Sequence, residues 1–508
     1  MSGRVAVRPG VGLVLHELRV LVRFRLRTGG HDPRQAVLVA LAVFVLLGVV
    51  GPLVVAALAP RSSTAPLVTL SPSLWFAFLL LAVGTSLASG GGRELMPRGA
   101  GAVFPVSAAT DQAGALLLTP LNLAWSVQAT LVVTVTAYTA GTGARAVAAL
   151  LAAWVWVACA TTLAQLVGWS AELVRTFRHG TAALLGLLVL VVVALALLVE
   201  ALDLGTLLAA LPTLPLYVAA VAGPPVTFVA VQAGLLGVTA LALALTVPVV
   251  ERLQRRPAGR QARAETRSLT RPRMPAGPLA AAVATDVRSV LRSSPLRRSL
   301  LLVLLVPLVL ALLLPLPWTA VVVLPALVAS GTALLHGVNV VALDGAGAVW
   351  RESLPHDPDT TLVGRLLALA TLCGAAATVL VLLAAVRAGT PTPSEAVAAV
   401  AAVLVATTQV VSRCARWSVR HPYPAELRHG RDAPAPPVAM AGYAVRLTAA
   451  TTLAALLLTA AASTGGVLLV LAVASALVSP GLLRLRRAFR EHSDHRTRAR
   501  VVAAVTGG

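Results

Sequence analysis

The chain has 508 residues, 58% of them hydrophobic and only 12% charged, about half the charged share of an ordinary soluble protein, which excludes a soluble multidomain enzyme. Its formal net charge is +22, and every basic side chain behind that figure is arginine, because the sequence contains no lysine. The missing lysine excludes a phosphate-binding loop of the GxxxxGK[ST] kind. In so apolar a chain the positive charge reads as the inward bias of membrane loops, and no nucleic-acid partner is expected.

Residues 1–35 form a basic leader. Within it, residues 11–27 (VGLVLHELRVLVRFRLR) bring Leu15, Leu18, Leu21, Val22 and Leu26 near one helical face and Arg19, Arg23 and Arg27 to another. That pattern predicts an amphipathic helix lying in the lipid headgroup region. Six apolar runs follow, at 36–59, 67–89, 115–140, 146–170, 181–199 and 224–250, each close to the ~20 residues that a spanning helix needs. They are continuous Ala/Leu/Val blocks rather than short alternating segments, so helices are expected and not barrel strands. Ala57-Leu58-Ala59 resembles a signal-peptide cleavage site, but the leader and apolar core are too long and Pro60 would follow the cut, so a span is expected.

The loop at 90–114 is rich in signals. Gly90, Gly91 and Gly92 end the preceding helix, Arg93 and Glu94 add charge, and Pro97 and Pro105 limit further helix. Ser107 to Asp111 then offer caps for a new helix that leads into the third span. Farther on, residues 200–223 open with Glu200 and Asp203 and are broken by Pro212 and Pro215.

Residues 251–298 are basic and Pro-rich, a cytoplasmic linker by composition. Beyond it six more runs lie at 299–316, 318–340, 362–386, 394–412, 443–462 and 464–481, and a basic tail occupies 482–508. With both termini inside, the outer loops hold only Arg61, Arg145 and Arg387, and an odd span count in either half would break that separation. Two even halves share one orientation, as parallel repeats do. The expected fold is therefore an all-α polytopic membrane protein of twelve transmembrane helices. It would form two parallel six-helix repeats, 36–250 and 299–481, with both termini cytoplasmic. Faint internal similarity agrees. Glu17-Leu18-Arg19 before the first span matches Asp286-Val287-Arg288 before the seventh. At a constant offset Pro105, Thr110, Gly114, Leu116 and Leu117 match Pro355, Thr360, Gly364, Leu366 and Leu367.

Two matching loops carry a resemblance. GGGRELMPRGAGAVFPVSAATDQAGALLLTPLNLAW in the first half and NVVALDGAGAVWRESLPHDPDTTLVGRLLALA in the second resemble the permease subunits of type-2 ABC exporters, particularly the fused double-length permeases of actinobacteria. The second loop is similar to the Asp-Gly-x-Gly…Pro…Leu-x-Gly-[Lys/Arg] pattern of that family. The resemblance implies that loops 90–114 and 341–361 hold coupling helices docking on an ABC ATPase. By position it points to Arg93, Glu94, Pro97, Pro105 and Asp111, and then to Asp344, Gly345, Gly347, Glu352, Pro355 and Arg365. It further implies an inner-membrane permease with two ATPase copies as partners, ATP and magnesium held by them, and no cofactor on this chain. The family also places short helices on the external side between spans five and six. Residues 200–223 fit that plan, whereas spans eleven and twelve meet within a few residues.

Other signals are negative. No HExxH, GxSxG or paired-cysteine zinc spacing occurs, and the outer loops are short and nearly chargeless, so no enzymatic activity is expected. Cys159, Cys373 and Cys414 read as small hydrophobes. The polar residues within spans are Asn122, Gln128, Gln165, Gln232, His336, Asn339 and Gln409, and His336 alone is titratable. The alternative reading is a twelve-helix secondary transporter of the major-facilitator kind, which shares the six-plus-six plan and basic linker. Against it, loop 90–114 lacks that family's Asp-Arg-x-Gly-Arg arrangement and no carboxylate sits at mid-membrane. The apolar spans fit a lipid-like or amphiphilic cargo and lipid-facing helices equally well, so the transported substrate is unassigned.

Overall fold

The computed structural model describes residues 11–28, 38, 41–42, 44–58, 64–89, 106–121, 123–202, 204–255, 274–313, 316–333, 337–345, 347–353, 357–424, 435 and 437–506. Every regular element among them is helical, the arrangement that satisfies backbone donors and acceptors within each segment when no water is at hand. Internal packing divides the chain into two units, Met1–Thr266 and Arg267–Gly508, and the boundary falls inside the basic 251–298 segment.

The first unit contains α1 (Val11–Thr28), a π-helical turn Leu46–Val50 running into α2 (Gly51–Leu58), α3 (Thr64–Ser89) and α4 (Ala108–Leu118). It continues with α5 (Leu123–Ala140), α6 (Ala144–Arg175), α7 (Gly180–Ala201), α8 (Leu204–Ala209), α9 (Thr213–Val221) and α10 (Pro225–Gln254). The centre is α6, against which α3, α5 and α10 pack. Its buried Ala149, Ala152, Ala153, Ala160 and Ala164 let neighbouring backbones approach closely. Aromatics close the core: Trp75 stacks on Trp156 at 5.2 Å and meets Tyr217 edge-on at 5.4 Å. Trp75 Nε1 donates to Thr136 Oγ1 (2.9 Å) and Trp156 Nε1 to the Trp75 carbonyl (3.1 Å), so neither buried indole loses its hydrogen bond. The short α9 is seated there too, through Thr213 on the Pro72 carbonyl and Tyr217 on Thr139, both 2.7 Å.

The second unit contains α11 (Pro278–Arg292), α12 (Ser294–Leu313), α13 (Trp318–Thr332), a 3-10 turn Val340–Leu343 and α14 (Gly347–Glu352). It ends with α15 (Pro358–Ala385), α16 (Pro393–Arg420), α17 (Pro437–Thr464), α18 (Gly466–Ser493) and α19 (His495–Thr506). A capping box of Thr392 and Glu395 starts α16, satisfying donors that a helix start leaves open. The α16 and α18 helices run parallel and pack together extensively, joined by Gln409 Nε2 to the Leu477 carbonyl at 2.7 Å and by Arg420 to Glu491 at 2.5 Å. Where the first unit inserts α8 and α9, the second turns directly from α17 into α18 through Gly465 and Gly466.

Eight helices among the described residues are long and apolar enough to cross a membrane: Leu67–Leu87, Ala144–Arg175, Gly180–Leu198, Pro225–Gln254, Asp359–Ala385, Pro393–Arg420, Gly442–Thr464 and Gly466–Ser493. The chain is thus an all-α, multi-pass membrane-embedded protein. The other four expected spans lie partly outside the described residues. The described residues of the 36–59 run are helical, continuous over Leu46–Leu58, and residues 299–313 of the 299–316 run belong to α12. The 115–140 run is divided between α4 and α5 by a 3-10 turn at Thr119–Leu121, where Pro120 cannot supply the amide a continuous helix requires. In the 318–340 run α13 covers Trp318–Thr332, and residues 334–336 lie outside the described residues. A Cβ on Gly337 would lie 2.2 Å from Cys414 Sγ, and there Asn339 Nδ2 donates to the Tyr423 carbonyl at 2.6 Å.

Candidate functional site

Charged residues converge at one end of the second unit, around the short helix α14. The chain comes off the 3-10 turn and reverses at Gly345, whose φ of +49° costs a glycine little. The Gly347 amide then donates to the Asp344 carbonyl at 2.8 Å, closing the turn as α14 begins. Asp344 turns back into the protein, where its Oδ1 accepts from Arg351 Nη1 at 2.9 Å and its Oδ2 pairs with Arg365 Nη2. Arg351 also reaches Asp286 Oδ1 on α11 at 3.3 Å. Glu352 pairs with Arg498 Nε on α19 at 2.5 Å. A small cavity lies between these groups, lined by Asp344, Arg351, Glu352, Arg365, His492 and Arg498.

Burial decides what this cluster does. Arg365 is 3% exposed, and a guanidinium so enclosed requires a compensating charge; Asp344 supplies it. Arg365 Nε and Asp286 Oδ2 are buried without a hydrogen-bond partner among the described residues. An apolar floor underlies the charges: Val341, Ala348, Leu362 and Leu366 meet Val501 and Val505 of α19. On the outer side of α14, Val349 is 56% and Trp350 68% exposed.

In the first unit the corresponding segment uses a different bond. Ser107 caps α4, accepting from the Thr110 amide at 3.2 Å. Glu17 of α1 accepts from Ser107 Oγ at 3.0 Å and from Thr110 Oγ1 at 2.5 Å. In each unit, then, the acid on the helix before the first span engages the loop after the second: Glu17 at Ser107 and Thr110 where α4 starts, Asp286 at Arg351. Leu18, Leu21 and Val22 of α1 are half-buried, while Leu15 is exposed along with Arg19 and Arg23.

Of the residues singled out from sequence, Asp344, Glu352 and Arg365 come together in the cluster, and Gly345 and Gly347 shape its turn. Asp111 lies in the first turn of α4, where a negative charge favours the helix start. Arg93, Glu94, Pro97, Pro105 and Pro355 lie outside the described residues, as does His336. Sequence reasoning passed over Arg351, Arg498 and Trp350. The alignment of Asp286 with Glu17 was the one signal that marked its position.

Elsewhere polar groups within helices mostly find structural partners. Gln165 donates to Thr119 Oγ1 (3.2 Å), Gln409 bridges Leu477 and Arg484, and Glu172 pairs with Arg175 at 3.0 Å. All three cysteines are buried and unbridged, with Cys414 against the Tyr443 hydroxyl at 2.8 Å. Among the described residues no group of histidine, cysteine and acidic side chains is placed to hold a metal ion. Compared with known protein families, curated proteins and solved structures, the chain gives no match.

Proposed function

We propose that the chain is the membrane-spanning component of an ATP-driven exporter, moved by a separate ATPase subunit. The observation that most supports this reading is the bracing of α14. This short helix displays Val349 and Trp350 outward, while Asp344 and Arg351 tie its base to α15 and α11. A push on such an element is carried into a helix long and apolar enough to span a membrane, because α15 begins at the braced end. In this reading two ATPase copies, holding ATP and magnesium, bear on residues 90–114 and 341–361. Nucleotide acts by favouring one arrangement of the two six-helix halves over another, since only a differential affinity can shift such an equilibrium. Twelve spans in two parallel repeats, with both termini on the cytoplasmic side of the inner membrane, belong to the same proposal.

A secondary carrier finds less support among the described residues, because the buried acids Glu172 and Asp286 are engaged by Arg175 and Arg351. Exposed tryptophans are frequent anchors of protein interfaces, where truncation commonly weakens binding by about tenfold or more. Trp350→Ala should therefore lower affinity for the ATPase by that factor while the purified chain stays monodisperse. Unchanged ATPase affinity and full stimulated hydrolysis with W350A would contradict docking at α14.

A further inference from the structure

A second positive cluster is formed by residues outside the one around α14. Where the apolar stretches of the parallel helices α16 and α18 end, Arg413 and Arg416 on one approach Arg484 on the other. Arg484 feels the positive charge of both, and its Nη2 donates to Gln409 Oε1 at 2.6 Å. All three are half-buried, whereas Arg486, Arg487 and Arg490 farther along α18 are exposed. Among the described residues no carboxylate pairs with Arg413, Arg416 or Arg484. Glu491, which also feels Arg416, is held by Arg420 through both oxygens at 2.9 and 2.5 Å.

An inward-biased flank needs only hydrated surface arginines, and the exposed ones supply that. Three mutually repelling guanidinium groups drawn partly out of water are costly unless an anion joins them. Two donors await one: Arg413 Nε and Arg484 Nε are buried with no acceptor. The surroundings mark the depth. Trp417, near the end of α16, lies one turn beyond Arg413 with the Arg446 guanidinium 5.4 Å above its ring, and a tryptophan at the end of an apolar helix is common at the membrane–water boundary. An anion that such a position would offer is a phospholipid phosphate, whose oxygens match the forked donors of arginine.

We propose that Arg413, Arg416 and Arg484 bind the phosphate of an anionic phospholipid headgroup, seated between the ends of α16 and α18. The test uses the full chain in phosphatidylcholine nanodiscs, with spin-labelled phosphatidylglycerol or spin-labelled phosphatidylcholine as the probe. The chain should immobilise the anionic label in preference to the neutral one. R413Q/R484Q should reduce that preference by roughly tenfold, with R484Q alone giving the same direction should the double variant fail to reconstitute. R487Q/R490Q removes equal charge from exposed positions and should keep most of the preference. Unchanged preference in R413Q/R484Q would overturn the site, as would an equal loss in R487Q/R490Q. Inorganic phosphate at matched ionic strength separates the sources: a lipid site keeps its label. Loss of the label together with phosphate-dependent thermal stabilisation would overturn the assignment to lipid.

Discussion

Asp344 accepts from two arginines at once, and one of them, Arg365, is almost wholly enclosed. Removing one partner of a buried ion pair leaves the other uncompensated, at a cost of about 3 kcal/mol or more. Asp344→Asn should therefore destabilise the detergent-solubilised protein strongly, and Asp344→Asn combined with Arg365→Gln should recover part of the loss. A double-mutant cycle on thermal unfolding checks this; independent, additive losses would show that the pair does not brace the turn. Glu352→Gln makes the contrast, because the Arg498–Glu352 pair is partly exposed and pairs of that kind contribute about 1 kcal/mol or less. The loop motif made Asp344 and Arg365 legible in the sequence as candidates, but not their attachment to each other. Arg351 and Asp286 are 65 positions apart, and they meet only because α11 packs on α15. No local spacing encodes such a meeting.

At the scale of elements, the basic tail resolves into the end of α18 and a separate helix, α19, that closes over α14. Apolar positions Val501 and Val505 are 1% and 3% exposed, and Asp494 caps the helix by accepting from the Thr497 amide and hydroxyl, both 2.9 Å. The backbone bond first, and then the hydroxyl, hold the Asp494 carboxyl below its usual range. A depressed carboxylate stabilises the fold above its unfolded pKa and loses that contribution as pH falls through the folded value. Amide protection in 495–506 should thus stay level from neutral pH down to about 5 and weaken only below roughly pH 4. Asp494→Ala should remove that acid-sensitive step, as hydrogen exchange would report; protection that already falls near neutral pH would contradict the cap. The Asp-x-x-Thr spacing and the valines of this helix stood in the sequence, yet arginine-rich composition masked them. Within the 318–340 run, Gly337 lies against Cys414 of α16 and Asn339 donates to the Tyr423 carbonyl beyond its C-terminal end, contacts that no hydropathy pattern encodes.

At the scale of the molecule, hydropathy and length made the all-α, multi-pass character plain, because each ~20-residue apolar run is its own signal. The Gly180–Leu198 stretch of α7 shows why this reading is strong: its mean hydropathy is 3.0 and none of that window is buried inside the protein. A helix apolar all round and uncovered by protein needs hydrocarbon around it. The boundary between the two units falls inside the basic 251–298 segment, yet α11 within that segment packs on α15 and buries Asp286 and Val290, which its apolar-poor composition did not announce. Pairing between helices was not legible, because an alanine-rich chain offers small residues on every face. The central claim, that α14 and its counterpart loop connect these units to a separate engine, is most directly tested by tagging the chain in its native host. The protein would be purified in mild detergent and its stoichiometric companions identified. The account predicts a P-loop ATPase in fixed ratio, lost with W350A. A monodisperse preparation that reproducibly contains no such ATPase would contradict it.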